Sequence, residues 1–439
     1  MTIKVGMVSL GCPKNQIDAE HILSDLSKNP KFKIVNDANE ADVVVINTCA
    51  FIDSAKQEAI ETILEFVEQK KSNIKSVVVT GCLAQRYQAE ILKEIPEVDV
   101  VLGLGANKSL ASSIIESLKG KKISKFDAAE KLCLNNDRIL STPTHYAYLK
   151  IAEGCDNCCT YCAIPKIRGR YRSRKIPDIL DEAKWLKRKG VLELILVAQD
   201  TTYYGADIYG RFALAELLEK IAALNFRWIR FLYAYPEKID ENLLGVISRN
   251  KNILPYLDLP IQHINNDILK KMNRKTTKRQ ILDKIKLIRN ILPNSILRTT
   301  LIAGFPGETE DQFQELLEFV RESGFSRLGC FAYSQEEGTA AARLPNQIPE
   351  KIKNQRAQAV MMEAELLLEK FCEKMISKSV EVIVDGFENG LYIGRSIADA
   401  PEIDCNVYVK SDCKLNIGDI IKAKINRSEY GDLFGEYVV

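Results

Sequence analysis

The chain has 439 residues, too many for one hydrophobic core, and its length predicts about two to four domains. A hydrophobic content of 46%, the lack of any run of about 18 uncharged apolar residues and an N-terminus without a signal-peptide layout predict a cytoplasmic protein with no membrane span. Because that compartment keeps thiols reduced, the twelve cysteines indicate metal or redox chemistry rather than structural disulfides.

Residues 1–125 predict a parallel, doubly wound α/β domain. Strand-like runs at 3–10, 42–48, 76–80 and 98–103 alternate with stretches of helical spacing. Buried strands that alternate with helices form such sheets. The polar and turn residues that follow, at 126–143, predict a linker.

A cysteine follows each of the first three predicted strands: Cys12, Cys49 and Cys82. The carboxyl ends of parallel strands meet at one edge of the sheet, so these three side chains are expected to converge. Three small buried hydrophobic side chains would be the alternative. The shared position of all three favours a common metal site.

A second alternating series predicts a partial (β/α)6 barrel within residues 144–371. Its strand-like runs lie at 147–153, 192–198, 228–233, 256–260, 296–304 and 328–333. Such a barrel places its site at the carboxyl ends of its strands. Residues 372–439 hold about five short strand-like runs broken by Gly, Asn and Asp, which predicts a small antiparallel β-barrel of a binding type.

The stretch CDNCCTYC (155–162) follows the first barrel strand and contains the spacing C-x3-C-x2-C, formed by Cys155, Cys159 and Cys162. Cys158 lies outside that spacing. A cubane 4Fe–4S cluster normally takes four thiolates, so three ligands leave one iron open for a reactant. Structural zinc would need four closed ligands, usually from two separated pairs, and no C-x-x-C pair lies outside this loop.

This loop resembles the radical S-adenosylmethionine (SAM) superfamily. The resemblance implies a 4Fe–4S cluster on Cys155, Cys159 and Cys162 with SAM bound to the open iron. It also implies that the reduced cluster cleaves SAM to a radical that removes an unactivated hydrogen atom. No catalytic residue beyond the clusters is predicted.

SAM contacts are expected at the carboxyl ends of the barrel strands. The segment TTLIAGFPGE (299–308) resembles the superfamily's G-x-I-x-G-x-P-x-E, with Thr300 where the first glycine is usual. Glu308 would alternatively hold its own turn together, and Tyr161 would alternatively only pack. The predicted cofactor-binding residues are Tyr161, Gln199, Gln262, Thr300, Gly304, Pro306 and Glu308. The basic run 164–175 is either a solvated face or an anion site.

The order of the three domains resembles the methylthiotransferase family over nearly the whole chain, with a TRAM-like barrel at the end. The resemblance implies that Cys12, Cys49 and Cys82 hold a second 4Fe–4S cluster, whose open iron takes the sulfur to be inserted. A C–H bond then becomes C–S–CH3. One SAM supplies the radical and another the methyl group, while a sulfur donor and an electron donor act as partners.

Two substrates compete within that family. LGCPKNQIDAE (10–20) and AQDTTYYG (198–205) resemble the type that converts an aspartate of the twelfth small-subunit ribosomal protein to 3-methylthioaspartate. The type that modifies an adenosine beside the anticodon of tRNA usually has Gln at the position of Pro13.

The charge of the tail favours the ribosomal protein. From residue 379 onward the chain carries six basic and eleven acidic residues, a net charge of −5. An acidic barrel suits a basic ribosomal protein and makes tRNA an unexpected partner. A non-catalytic iron–sulfur electron carrier is the alternative from another class, and it would need no SAM pocket.

Overall fold

The computed structural model describes residues 2–88 and 90–438. In that part of the chain the strands are β1 (Ile3–Ser9), β2 (Phe32–Ile34), β3 (Val43–Thr48), β4 (Ser76–Gly81), β5 (Val100–Leu102), β6 (Ile123–Lys125), β7 (Tyr146–Lys150), β8 (Ala152–Glu153), β9 (Arg172–Ser173), β10 (Glu193–Val197), β11 (Trp228–Phe231), β12 (Tyr256–Asp258), β13 (Ile296–Ala303), β14 (Arg327–Ala332), β15 (Ser379–Glu388), β16 (Leu391–Ser396), β17 (Val407–Lys410), β18 (Ile420–Glu429) and β19 (Asp432–Val438).

The α-helices are α1 (Pro13–Ser27), α2 (Asp53–Glu68), α3 (Cys82–Tyr87), α4 (Glu90–Glu94), α5 (Leu110–Ser117), α6 (Ile164–Arg168), α7 (Ile176–Arg188), α8 (Ala206–Tyr209), α9 (Leu214–Ala222), α10 (Glu241–Arg249), α11 (Asn266–Lys271), α12 (Lys278–Ile291), α13 (Glu310–Ser323) and α14 (Glu350–Glu373). None of these helices is both long enough and apolar enough to cross a bilayer.

The N-terminal sheet is parallel throughout, in the order β2-β1-β3-β4-β5-β6. Alternate residues of the central strands face opposite sides: Val44 and Ile46 pack with α2, while Val43 and Val45 pack with α1 and α5. Helices therefore cover both faces, which confirms the predicted doubly wound sheet. The chain reverses direction along the sheet between β1 and β3, and ligands of such sheets bind at that switch point.

The central domain confirms the open (β/α)6 barrel. Six parallel strands form two three-stranded sheets, β11-β10-β7 and β12-β13-β14. A bridge between Ile229 and Ile253 connects them beside β11. The short ribbon of β8 and β9 encloses the cysteine loop, because β8 ends two residues before Cys155 and β9 begins after α6.

The C-terminal strands close a five-stranded barrel in the order β15-β16-β17-β19-β18. Four of its strand pairs are antiparallel as expected, whereas β17 and β19 run parallel. The long helix α14 leads into this barrel. The division of the chain at residues 125, 143 and 371 stays a prediction.

Charged side chains of the C-terminal barrel form ion pairs with residues at the amino ends of the central strands. Glu193 at the start of β10 lies between Arg230 Nε at 2.9 Å and Arg395 Nη1 at 2.6 Å. Asp399 lies 2.5 Å from Arg327, the first residue of β14. These ion pairs attach the small barrel to the end of the central barrel opposite its carboxyl edge.

Candidate functional site

The structure brings the three cysteines of the N-terminal sheet together at its carboxyl edge. Cys12 caps α1, Cys49 follows β3, and Cys82 opens α3 directly after β4. A Cβ on Gly11 would lie 2.8 Å from the sulfur of Cys49, so the first two loops are in contact. Asn15 holds them by donating from Nδ2 to the backbone oxygens of Leu10, Asn47 and Thr48, the nearest at 2.7 Å. We call Cys12, Cys49 and Cys82 the N-terminal trio.

Arg168 at the end of α6 reaches from the central domain to this trio. Its guanidinium is 1% exposed and donates from Nη2 to the sulfur of Cys82 at 3.3 Å. Its Nη1 donates to Asp18 of α1 at 2.8 Å and to Glu153 of β8 at 3.0 Å. Lys150 pairs with the same two carboxylates. A buried, fully paired network therefore joins the first domain to the loop that carries the second cysteine set.

The second set, Cys155, Cys159 and Cys162, lies in the loop after β8; we call it the barrel trio. Cys155 accepts a hydrogen bond from Asn157 Nδ2 at 3.5 Å, and Cys159 lies 3.8 Å from the Tyr235 hydroxyl. Cys158 is exposed and has φ +51°, whereas the trio's sulfurs point inward from buried or half-buried residues. The geometry thus separates Cys158 from its three neighbours.

The donor chemistry of both trios fits an iron–sulfur cluster. Burial raises the pKa of Cys82 to about 12 and that of Cys155 to about 11. Burial alone would also raise the pKa of Cys12, but Lys14 and Arg168 hold it below its ordinary value. Thiolates in these pockets need compensating positive charge, which a metal cluster supplies. No three Cys, His, Asp or Glu side chains in residues 2–88 and 90–438 come close enough to hold a single metal ion, and cluster binding stays a prediction.

Three of the predicted SAM contacts, Gln199, Tyr161 and Gln262, lie in the cysteine loop or just beyond the carboxyl ends of barrel strands. Gln199 follows β10 and donates from Nε2 to Glu153 at 2.5 Å, while its buried Oε1 has no hydrogen-bond partner in the described chain. Tyr161 is half-buried beside Met272 and Phe305. Gln262 has φ +72°, an uncommon conformation for a side chain with a Cβ, and is joined to β13 through Thr300 O at 2.9 Å.

The predicted turn 304–308 is held by its own residues. Glu308 is buried and accepts from the backbone N–H of Gly304 at 3.0 Å and from Arg356 at 2.8 Å. A Cβ on Gly304 would lie 2.9 Å from the Cα of Lys353, so α14 is what requires glycine there. The bonds of Glu308 are therefore those of a residue that holds its own turn together, which was the alternative to a SAM contact. Pro306 is buried in the same turn.

The basic run 164–175 is divided: Lys166, Arg170 and Lys175 are exposed, whereas its other three basic side chains bind groups inside the chain. Arg168 is buried in the network described above. Arg172 donates to the backbone oxygens of the linker at Ala129 and Glu130. Arg174 is buried and donates to Lys150 O at 2.8 Å. The run attaches the linker and the N-terminal domain to the central barrel, a role that its spacing in sequence did not reveal.

Nearly half of the acidic side chains of the tail also bind residues inside the chain. Five of its eleven acidic side chains bind residues at the amino ends of the central strands: Glu381, Asp385, Asp399, Glu402 and Asp404. Arg395 is buried there too. Six acidic and five basic side chains are left for the outer surface of the small barrel, which is therefore nearly neutral.

Three family models match successive parts of the chain. They are the uncharacterized protein family UPF0004 at residues 4–103, the Radical SAM superfamily at 149–320 and the TRAM domain at 376–438. The ribosomal protein uS12 methylthiotransferase RimO of Clostridioides difficile (strain 630) is 50% identical over 439 residues, covering 99% of this chain and 98% of that protein. The chain belongs to the RimO family.

A second RimO, from Thermoanaerobacter sp. (strain X514), is 49% identical over 438 residues and 99% of each chain. Among solved structures, the radical S-adenosylmethionine methyltransferase TsrM of Kitasatospora setae aligns with a TM-score of 0.57 at 13% identity, covering 76% of this chain and 75% of that one. That likeness shows the fold alone. Membership in the RimO family makes the chain a radical SAM methylthiotransferase, with a 4Fe–4S cluster and SAM as the cofactors of its superfamily.

Residues that the sequence reasoning missed surround both trios in the RimO site. Tyr233 and Tyr235 follow β11, and Arg274 follows α11. Arg274 lies over the Tyr235 ring at 4.2 Å and 4.0 Å from the sulfur of Cys159. The only available signal was their position just beyond a barrel strand or a short helix, which identifies no particular residue.

Proposed function

We propose that this chain inserts sulfur and a methyl group at the β carbon of an aspartate of ribosomal protein uS12, giving 3-methylthioaspartate, and that it acts in the cytoplasm. The observation that carries the proposal is the pairing of two cysteine trios across the joint between the first two domains, connected by Arg168. The near 50% identity to RimO proteins over the full length supports the substrate.

The barrel trio would hold the cluster that works with SAM, and the N-terminal trio would hold a second 4Fe–4S cluster. When bound, the first cluster and SAM supply the radical that removes a hydrogen atom from the substrate carbon. The chain's own residues orient these groups. Arg168 donates to Cys82 and fixes Glu153, and Glu153 in turn fixes Gln199 beside the predicted SAM position.

SAM contacts are proposed for Tyr161, Gln199, Gln262 and the backbone of the turn from Thr300 to Pro306. Glu308 is proposed to act indirectly, since its carboxylate already binds the Gly304 N–H and Arg356. It would keep the turn in shape rather than touch the nucleoside. A sulfur donor and an electron donor are proposed as further partners.

We propose that uS12 contacts the C-terminal barrel through exposed aromatic side chains and their neighbouring carboxylates, and not through the net charge of the barrel. Phe387 is 61% exposed and Tyr430 is 95% exposed on this barrel, and Glu388 and Glu429 line the same depression as Tyr430. Exposed aromatic rings with neighbouring carboxylates suit the lysines and arginines of a basic protein. Replacing Phe387 and Tyr430 by serine should weaken uS12 binding but leave SAM cleavage without substrate unchanged.

The deciding experiment offers the anaerobically reconstituted enzyme both substrates. Protein, SAM, dithionite and sulfide are incubated with recombinant uS12 and, separately, with unmodified tRNA. We expect a methylthio mass increase on one uS12 aspartate, located by fragment mass spectrometry, and none on tRNA. Modification of tRNA alone would support the adenosine-modifying type. Failure to form 5′-deoxyadenosine would indicate an iron–sulfur electron carrier.

A further inference from the structure

Lys14 is a buried lysine without a carboxylate partner. It lies in the first turn of α1, its side chain belongs to a residue that is 8% exposed, and no Asp or Glu of the described chain is within ion-pair distance of its ammonium. The ammonium instead lies 3.4 Å from the centre of the Tyr233 ring. Lysines are almost never this buried unless they are paired. The Cys12 thiol two residues away is a charge neighbour of Lys14, but no carboxylate of the described chain balances the ammonium.

The other cations around the two trios are already engaged. Arg168 and Lys150 share Asp18 and Glu153. Lys238 pairs with Asp200. Arg298 pairs with Asp258 at 2.9 Å.

Arg274 lies beside Cys159 and donates to Pro260 O at 2.9 Å, which places it next to the predicted SAM position. Lys14, by contrast, belongs to the N-terminal trio's own loop, two residues after Cys12. A carboxylate bound by Lys14 is therefore distinct from the carboxylate of SAM.

Lys14 lies on the side of the N-terminal trio that faces the central domain, because its ammonium contacts Tyr233. The segment after β11 turns one ring toward the loop of each trio: Tyr233 faces Lys14, and Tyr235 faces Cys159. Tyr233 has φ +62°, a conformation that costs a residue with a Cβ about 1–2 kcal/mol and is concentrated at functional sites. Its backbone is held there by Asp258, which accepts from the Tyr233 N–H at 2.9 Å.

We propose that the Lys14 ammonium binds the side-chain carboxylate of the substrate aspartate and is the residue that selects aspartate. The inference rests on the proposed function, because it takes a protein aspartate as the substrate. A carboxylate entering this enclosed site must find a positive partner, and Lys14 is a buried cation there that contacts a tyrosine ring and has no carboxylate partner in the described chain. Bound in this way, the aspartate is held between the sulfur-carrying side and the SAM side of the site.

The test compares two substrates on two enzyme variants. The reconstituted full-length enzyme and its Lys14→Met variant are titrated with recombinant uS12 and with uS12 whose modified aspartate has been changed to asparagine. A charge-assisted contact predicts that the wild type binds the aspartate form on the order of 10- to 100-fold more tightly than the asparagine form. The variant should bind both forms alike, and the comparison uses variant protein whose iron content matches that of the wild type.

Two further variants complete the test. Lys31→Met removes an exposed lysine of the same domain and should keep the wild-type preference. Lys14→Arg keeps the positive charge and should keep most of the preference for the aspartate form. If Lys14→Met loses a cluster, Lys14→Arg still tests whether the charge is needed.

An undiminished preference in Lys14→Met, or a lost preference in an iron-replete Lys14→Arg, would overturn the role of Lys14 while uS12 remains the substrate. Modification of tRNA alone by the wild type would overturn the proposed function and this inference together.

Discussion

At the residue scale, the cysteine loop separates ligands from a neighbour by exposure and backbone conformation. Cys158 is exposed at φ +51°, and its backbone oxygen accepts from Asn273 at 2.9 Å, so the residue holds the loop through its backbone rather than its sulfur. Cys155 and Cys159 are buried and lie against polar groups of the site.

We therefore expect Cys158→Ala to keep the full iron and sulfide content after reconstitution. Cys159→Ala, the matched control one position away, should lose one of the two clusters, or about half of the iron. Iron and sulfide assays with electron paramagnetic resonance measure both. A loss of iron in Cys158→Ala equal to that in Cys159→Ala would contradict the assignment of the barrel trio.

A second residue-scale prediction concerns acid stability. His21 in α1 is buried and donates from Nδ1 to Asp137 O at 3.1 Å; burial first, and then Lys150, lower its pKa to about 4. Because the unfolded histidine titrates near 6.5, the unfolded chain binds the extra proton between these values. Stability is complete above about pH 6.5 and falls as the pH drops toward 4, by about 2 kcal/mol at pH 5.

Urea unfolding of the wild type and His21→Gln at pH 7 and pH 5 checks this. The wild type should lose about 2 kcal/mol more than the variant between the two pH values, since glutamine does not titrate. Equal losses in both proteins would show that other groups account for the acid sensitivity.

At the element scale, the sequence predicted the strands that coincide with clear hydrophobic runs. All six barrel strands and the N-terminal strands β1, β3, β4 and β5 lie where apolar segments indicated them. β2 and β6 were missed because their three-residue runs, FKI and ISK, are only partly apolar and partly exposed, whereas the equally short β5 is fully apolar and buried. The parallel pairing of β17 with β19 was also beyond reach, since strand order in a small barrel depends on contacts distant in sequence.

The turn before α13 shows the same limit. Its motif pointed to a nucleoside contact, but the structure places Lys353 of α14 against Gly304. Gly304→Ala should then lose stability twice, through φ +75° and through the close approach to α14, or roughly 2–5 kcal/mol. Gly120→Ala is the matched control, because Gly120 has φ +82° with nothing within 4 Å of an added Cβ. It should lose only about 1–2 kcal/mol. Equal losses in chemical unfolding would contradict a packing role for Gly304.

At the scale of the whole molecule, long-range ion pairs decided what the charge pattern meant. The basic run 164–175 and the acidic tail each looked like a surface for a partner, because a linear sequence does not show which charges face each other. In the structure, Arg168 meets Asp18 and Glu153 of earlier elements, and Asp399 meets Arg327. The cysteine positions were predictable because they follow parallel strands, whereas the residues that support them come from several distant segments.

The joint between the two barrels gives the last prediction. Glu193 is fully buried between Arg230 and Arg395; burial would raise its pKa, but these two arginines hold the pKa below its ordinary value. Glu193→Gln leaves positive charge buried without its counter-ion, which costs about 3–5 kcal/mol. We expect a lower urea midpoint and faster proteolysis in the segment between α14 and β15, because Arg395 no longer holds the small barrel. Glu436→Gln, which changes an exposed acid of the same barrel, should change neither quantity. If Glu193→Gln unfolds like Glu436→Gln, the attachment of the C-terminal barrel depends on its apolar contacts and not on this buried ion pair.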